Sequence, residues 1–193
     1  LRFSKAVSVE NFPILSNFVY AGTGSEQIQN CIEHDGELFV LTLTKVFRIV
    51  GSAGNYRAVG TAVNQGLRSP HGLIKGVRSV YMYAYDGIYE FPSGRKISEV
   101  INPLFFGEFV NEIPPVAAGR EQEVAMGFYD SKVFFSYCTT ENPAITNDAT
   151  LVWDTIYERW HWYMYGSRSL FLEPENNILV GGNLVQWDHV LDG

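Results

Sequence analysis

The residue types that do chemistry are present in this chain, but they are scattered. His34, His71, His161 and His189 never fall in pairs at i, i+2 or i+4, so the local spacing that holds a metal is missing. Cys31 and Cys138 have no metal-like spacing, and Cys138 sits in an apolar strand run where a buried thiol is expected. No serine lies in a Gly-X-Ser-X-Gly frame. Gly22 and Gly24 form a short glycine-rich turn, yet neither a Walker lysine nor a helical period follows it. Glu121, Glu123 and Asp130 flank one predicted strand and are the best candidates for paired-carboxylate catalysis. These patterns assign no catalytic, cofactor-binding or metal-binding residue, and the chain reads as a non-enzyme without a cofactor.

The densest aromatic stretch is Trp153 to Tyr165, WDTIYERWHWYMY. Flat rings stack on sugar C–H faces and also dominate protein interfaces, so Trp153, Tyr157, Trp160 and Trp162 are candidate interaction residues. The competing reading is a strand–turn–strand whose rings fill space between sheets. Alternation fits that reading, placing Trp160, Trp162 and Met164 on one face and His161 and Tyr163 on the other. A polar stretch from Thr139 to Ala149 reads as an extended hairpin tip in solvent, and adds Asn142, Pro143 and Asn147 as candidate contacts.

The elements that must carry these residues repeat. Val80 to Phe91 (VYMYAYDGIYEF) alternates apolar and aromatic residues around Asp86-Gly87, a pair that tolerates the positive φ of a tight primed turn. Leu38 to Ile49 (LFVLTLTKVFRI) aligns with it at an offset of 42, turning at Thr44-Lys45. A third copy starts at Val133 and resumes at Leu151 after an insertion, and a fourth runs from Ile178 to Trp187 with its turn at Gly182-Asn183. A short strand precedes each hairpin. A fourth strand is expected over Tyr56 to Val59, Lys96 to Ile101 and Arg159 to Met164, whereas the last unit ends too early for one. Four antiparallel strands per unit of 40–50 residues predict an all-β chain, a β-propeller-like array of about four repeats in an incomplete ring. The alternative is a β-sandwich.

The predicted organisation is N-terminal strands over 1–27, completing a blade, then repeats over about 28–68, 69–120, 121–166 and 167–193. The best strand of the first segment is Asn17 to Thr23. The stretch from Asn102 to Val133 contains Pro103, Pro114 and Pro115 and reads as a loop crossing between repeats, not a helix.

Composition bounds the class. Of 193 residues, 46% are hydrophobic and 18% charged, enough for a sizeable core. Net charge is -7 with no basic cluster, so the electrostatic footprint of a nucleic-acid binder is absent. No apolar run reaches the 18 residues of a membrane helix, and there is no Asn-X-Ser/Thr sequon or signal peptide. A first residue of Leu in place of Met fits a fragment or a processed product.

The succession DGIYEF, KISEVINPLF, EVAMGFYDSKVFFSY and NDATLVWDTIYERWHWY resembles β-propeller proteins of tailed-bacteriophage virions, over roughly residues 28 to 188. Those proteins form tail nozzles, tail tubes or connector extensions. The resemblance implies a non-enzymatic structural protein located in the virion, a homo-oligomeric ring that contacts other virion proteins. DNA would pass through it without specific binding, and no membrane is involved. An acidic balance suits such a channel, because phosphate contacts come from Lys and Arg. Such proteins are usually much longer than this chain. Two alternatives come from other classes: a carbohydrate-binding or glycan-cleaving propeller using Trp153, Trp160 and Trp162, and a protein-interaction scaffold propeller.

Overall fold

The computed structural model describes residues 19–22, 26–52, 55–141, 147–173, 177–183 and 186–191, the last segment and residue 183 by backbone alone. The chain divides into two compact units, residues 1–67 and 68–193.

The first unit holds one sheet of four antiparallel strands in chain order. These are β1 (Ile28–His34), β2 (Glu37–Thr42), β3 (Val46–Ser52) and β4 (Asn55–Gly60). Asp35 and Gly36 join β1 to β2 with φ of 52° and 76°, the two positive values of a primed two-residue turn. The strongest turn dipeptide here is therefore Asp35-Gly36, one strand earlier than the hairpin that the repeat alignment brings out. Thr42 closes the β2–β3 turn, its Oγ1 accepting from Lys45 N at 3.1 Å. Glu26 braces the same turn by accepting from Thr44 Oγ1 at 2.7 Å. Gly22 keeps a positive φ of 83°, and the Glu26 side chain lies where its Cβ would be. A carboxylate at that spot repels a phosphate, so the glycine turn serves packing.

Residues 1–18 of the predicted N-terminal strands lie outside the described residues. Residues 19–22 and 26–27, within the same segment, form no strand.

The second unit holds three sheets. The first contains β5 (Leu73–Lys75), β6 (Val80–Ala84), β7 (Gly87–Phe91) and β8 (Arg95–Lys96). The second contains β9 (Ala125–Tyr129), β10 (Lys132–Tyr137), β11 (Ala149–Asp154) and β12 (Arg159–Tyr163). The third has three strands, β13 (Ser169–Glu173), β14 (Ile178–Asn183) and β15 (Gln186–Leu191). All pairs are antiparallel and every sheet keeps its strands in chain order, so the class is all-β with repeated antiparallel sheets.

Four details of the sequence reading change. Ala84 pairs with Gly87, so the β6–β7 turn residues are Tyr85 and Asp86, and neither has positive φ. The Asp86 carboxylate is drawn sideways to Lys96 and Tyr89 instead of serving a primed turn. Gly182 and Asn183 lie within β14, and the loop that follows them falls outside the described residues. The strand expected over Lys96 to Ile101 stops at Lys96, and a 3-10 helix follows over Glu99–Phe106. That helix is kinked at Ile101, which puts Pro103 near the start of its second segment, where the missing N–H costs nothing. The Asn102–Val133 connection is thus partly helical, and it seats Leu104 with no exposure.

The core of this unit lies between its first two sheets. Tyr83, Ile88 and Leu104 meet Val133, Phe135, Tyr137 and Leu151 in one buried cluster. Tyr83 and Phe135 pack edge to face at 5.1 Å, an arrangement that aligns ring edge with ring face. β6 and β11 are buried along their whole length, as central strands covered on both faces must be. β12 alternates exposed and half-buried residues, as an edge strand with one solvated face should. The opening strands stand together: Met126 N on β9 donates to His71 O beside β5 at 2.9 Å. On the other side of β9, a Cβ at Gly127 would press on Leu170 at 3.0 Å, so glycine permits the approach of β13.

Candidate interaction surface

The aromatic stretch divides between core and solvent. Trp153 on β11 is buried and belongs to the main core cluster, with Trp160 and Trp162 of β12 packed against it. Trp153 and Trp160 ring centroids lie 5.1 Å apart. Trp160 Nε1 donates to Ile97 O at 3.2 Å, reaching from the second sheet of this unit to the first. His161 and Tyr163 point outward, as alternation requires. Met164 lies past the end of β12 and is exposed, because the face that buries Trp160 and Trp162 ends with the strand. The space-filling reading therefore describes the three tryptophans, Trp153 buried and Trp160 and Trp162 half-buried against the same cluster.

Tyr157 is the exception, 68% exposed in the four-residue loop between β11 and β12. Asp154 Oδ1 shapes that loop by accepting from Ile156 N at 2.9 Å and Tyr157 N at 3.0 Å. The Tyr157 N–H is the chief reason the Asp154 carboxyl is held below its usual value, and the Ile156 N–H lowers it further. Arg159 lies 4.8 Å over the Tyr157 ring.

Asn147 corrects the hairpin-tip reading. It is 2% exposed, and its amide nitrogen lies 2.9 Å from Glu123 O, 3.2 Å from Ser136 O and 2.8 Å from Ser167 O. Those carbonyls come from three separate segments, so Asn147 is a buried clamp, not a solvent contact. Thr139 and Ala149, the ends of the same stretch, are also buried. Among the described residues of this run, Thr139, Asn147 and Asp148 bond inward, whereas Thr140 and Glu141 are exposed. Asn142 and Pro143 lie outside the described residues.

The candidate carboxylates do not converge. Glu121 faces Arg68 at 3.5 Å and Glu123 accepts from Arg120 and Arg168, while Asp130 pairs with Lys132 at 2.8 Å beyond the other end of β9. Hydrogen bonding to Arg120 is the main reason the Glu123 carboxyl is held low. His34 is buried, with Nε2 3.4 Å from the Asp35 carboxylate, whereas His71 and His161 are exposed. The side chain of His189 lies outside the described residues. Among the described residues no three potential ligands gather around a metal position. Cys138 is buried as expected, and burial pushes its thiol pKa up. No helix among the described residues is long and apolar enough to cross a membrane.

One concave feature escaped the sequence reading. At the end of the first two sheets of the second unit, the β5–β6 turn faces the β9–β10 and β11–β12 turns across a groove of about 390 Å³. Tyr81 and Phe128 are stacked along it, 6.4 Å apart and 8° from parallel. Val77 and Ile156 stand on its rim, 81% and 68% exposed. Glu90 and Arg95 form one wall, and Arg95 continues to Glu158 at 2.7 Å. The residues come from seven elements and turns, so no local spacing could have signalled the groove.

No protein-family model matches the chain, and no curated protein matches it. Solved structures do resemble it. The computationally designed Ika4 protein superposes with a TM-score of 0.50 at 13% identity, over 90% of this chain and 95% of that one. The extracellular domain of a protein described as a hybrid two component system, BT4673 from B. thetaiotaomicron, gives a TM-score of 0.52 at 10% identity. That likeness covers 85% of this chain and 20% of the other. At these identities the likeness is one of fold alone, an all-β chain of repeated antiparallel sheets.

Proposed function

We propose that this chain is a non-enzymatic structural subunit of β-propeller type that works in an assembled ring, the kind of component used in tailed-phage virions. The observation that carries the propeller part is the order of the second unit. Opening strands β5 and β13 both neighbour β9, and later strands follow outward in chain order in each sheet. Sheets packed face to face around shared opening strands are how propeller blades bury two apolar faces at once. The virion placement rests on the resemblance of the repeat succession. It accords with the acidic balance of the chain, and virion proteins are its expected partners.

The use of Trp153, Trp160 and Trp162 inside the packing favours this reading over a glycan-binding one. The test is the mass of the native particle by native mass spectrometry or light scattering, followed by electron microscopy. A defined multiple of the 21.7 kDa chain with ring-shaped images supports the proposal. A clean monomer at micromolar concentration overturns the ring.

A further inference from the structure

We propose that the groove between the β5–β6 turn and the β11–β12 turn is a docking site for an acidic peptide segment of a partner protein, one that presents a carboxylate beside an apolar side chain. Most charges around the groove are already paired. Glu90 accepts from Ser79 Oγ at 2.7 Å through one oxygen and from Arg95 Nε at 2.8 Å through the other. Arg95 also donates to Glu158 at 2.7 Å, so its guanidinium lies between two carboxylates. Thr155 Oγ1 donates to Ser131 O at 2.7 Å. Lys132, at the same end of the sheets, pairs with Asp130.

Arg78 differs from all of these. It is exposed on the groove and makes no hydrogen bond or ion pair among the described residues. A planar guanidinium matches a carboxylate through two parallel hydrogen bonds, and a peptide carboxylate is a partner of that shape and single charge. A dianionic phosphate fits less well, because among the described lining residues one uncommitted guanidinium balances a single charge.

The flanks define the second half of the ligand. Val77 precedes Arg78 directly and Ile156 faces it across the groove, both largely exposed. Covering apolar side chains on a concave rim removes them from water and favours binding. The same face that offers one positive charge therefore offers two apolar contacts beside it. The stacked Tyr81 and Phe128 and the Glu90–Arg95–Glu158 chain hold the walls in place, so little ordering is needed on binding.

The test is amide-resolved NMR of the ¹⁵N-labelled chain titrated with the peptide Ac-Leu-Asp-Leu-NH₂ and its isostere Ac-Leu-Asn-Leu-NH₂. The expected result is shift changes at Val77, Arg78, Ser79 and Ile156 with the Asp peptide, and binding about threefold to fivefold weaker for the Asn peptide, the worth of an exposed ion pair. Arg78→Gln, at an exposed and unpaired position, should fold normally and lose the same factor. Absent shifts, equal shifts with both peptides, or undiminished binding by the variant would each overturn the proposal. The measurement reads the groove directly, so its outcome is separate from whether the chain assembles into rings.

Discussion

Trp160 and Ile97 are 63 residues apart in the chain, and the indole N–H of the first donates to the carbonyl of the second at 3.2 Å. The bond ties the edge strand of one sheet to the segment that follows the edge strand of its neighbour. Trp160→Phe keeps most of the ring's packing against Trp153 but removes the donor, leaving the Ile97 carbonyl without it. The expected loss is about 1 kcal/mol of stability, read as a lower midpoint of urea unfolding. No change would mean that the bond exchanges freely with water.

Asn147 should be far more sensitive. Its two amide hydrogens are shared among three carbonyls, and Asn147→Ala would strand them in a site that water does not reach. The expected cost is about 2–3 kcal/mol or more. Asn147→Asp should be at least as damaging, since a carboxylate would face three carbonyl oxygens. Thermal unfolding of both variants checks this, and a near-wild-type Asp variant would contradict the clamp.

Gly87 has φ of 148°, and a Cβ added there would overlap Ser98 Oγ and stand 2.8 Å from Lys96 Cε. Ser98 Oγ already accepts from Ile88 N at 2.9 Å, and Lys96 Nζ is held at 2.9 Å by Asp86. Neither neighbour can yield without losing its own bond. Gly87→Ala should therefore cost about 1–3 kcal/mol, combining backbone strain with the clash. A variant that unfolds at the wild-type denaturant concentration would show that the turn can shift.

Acid should loosen the junction around Glu123. Its carboxyl is held low chiefly by hydrogen bonds from Arg120, against the upward push of partial burial, and the Arg168 charge lowers it further. A carboxyl whose folded pKa lies below its unfolded value stabilises the fold above the unfolded value, about 4.3 for glutamate. That stabilisation is lost as pH falls from there through the folded value. Unfolding midpoints measured from pH 6 to pH 3 should drop, and Glu123→Gln should be less stable at pH 6 with a shallower drop. Parallel curves for the two proteins would remove Glu123 from the account.

Much of the architecture was legible because strand pairing depends on local pattern. Runs such as VYMYA and KVFFSY, punctuated by turn residues, marked the hairpins and their spacing, and the four sheets stand where the repeats placed them. Turn positions were less legible. Asp86-Gly87 has the composition of a primed turn, yet Asp86 is claimed by Lys96 and Tyr89, partners ten and three residues away. The 3-10 helix hid behind Pro103, whose effect depends on its position within the helix. The candidate contacts failed where tertiary packing decided the outcome. Tyr157 and Trp160 look alike in sequence, but one sits in a loop and the other on the inward face of β12. Arg78 carried no signal, because its lack of a partner among the described residues emerges only from the fold.

Thr139 and Asp148 meet at the base of the insertion between β10 and β11, where one carboxylate accepts from Thr139 N and Thr139 Oγ1, both at 2.7 Å. This double latch joins the described ends of the insertion, and Asn147, one residue inside it, is tied to three further segments. The latch sits directly beside the Tyr137–Ala149 pair that ends the β10–β11 ladder. The neck of the insertion is thus closed like a clasp, and the register at this end of the sheet is held by two side chains on opposite strands' ends.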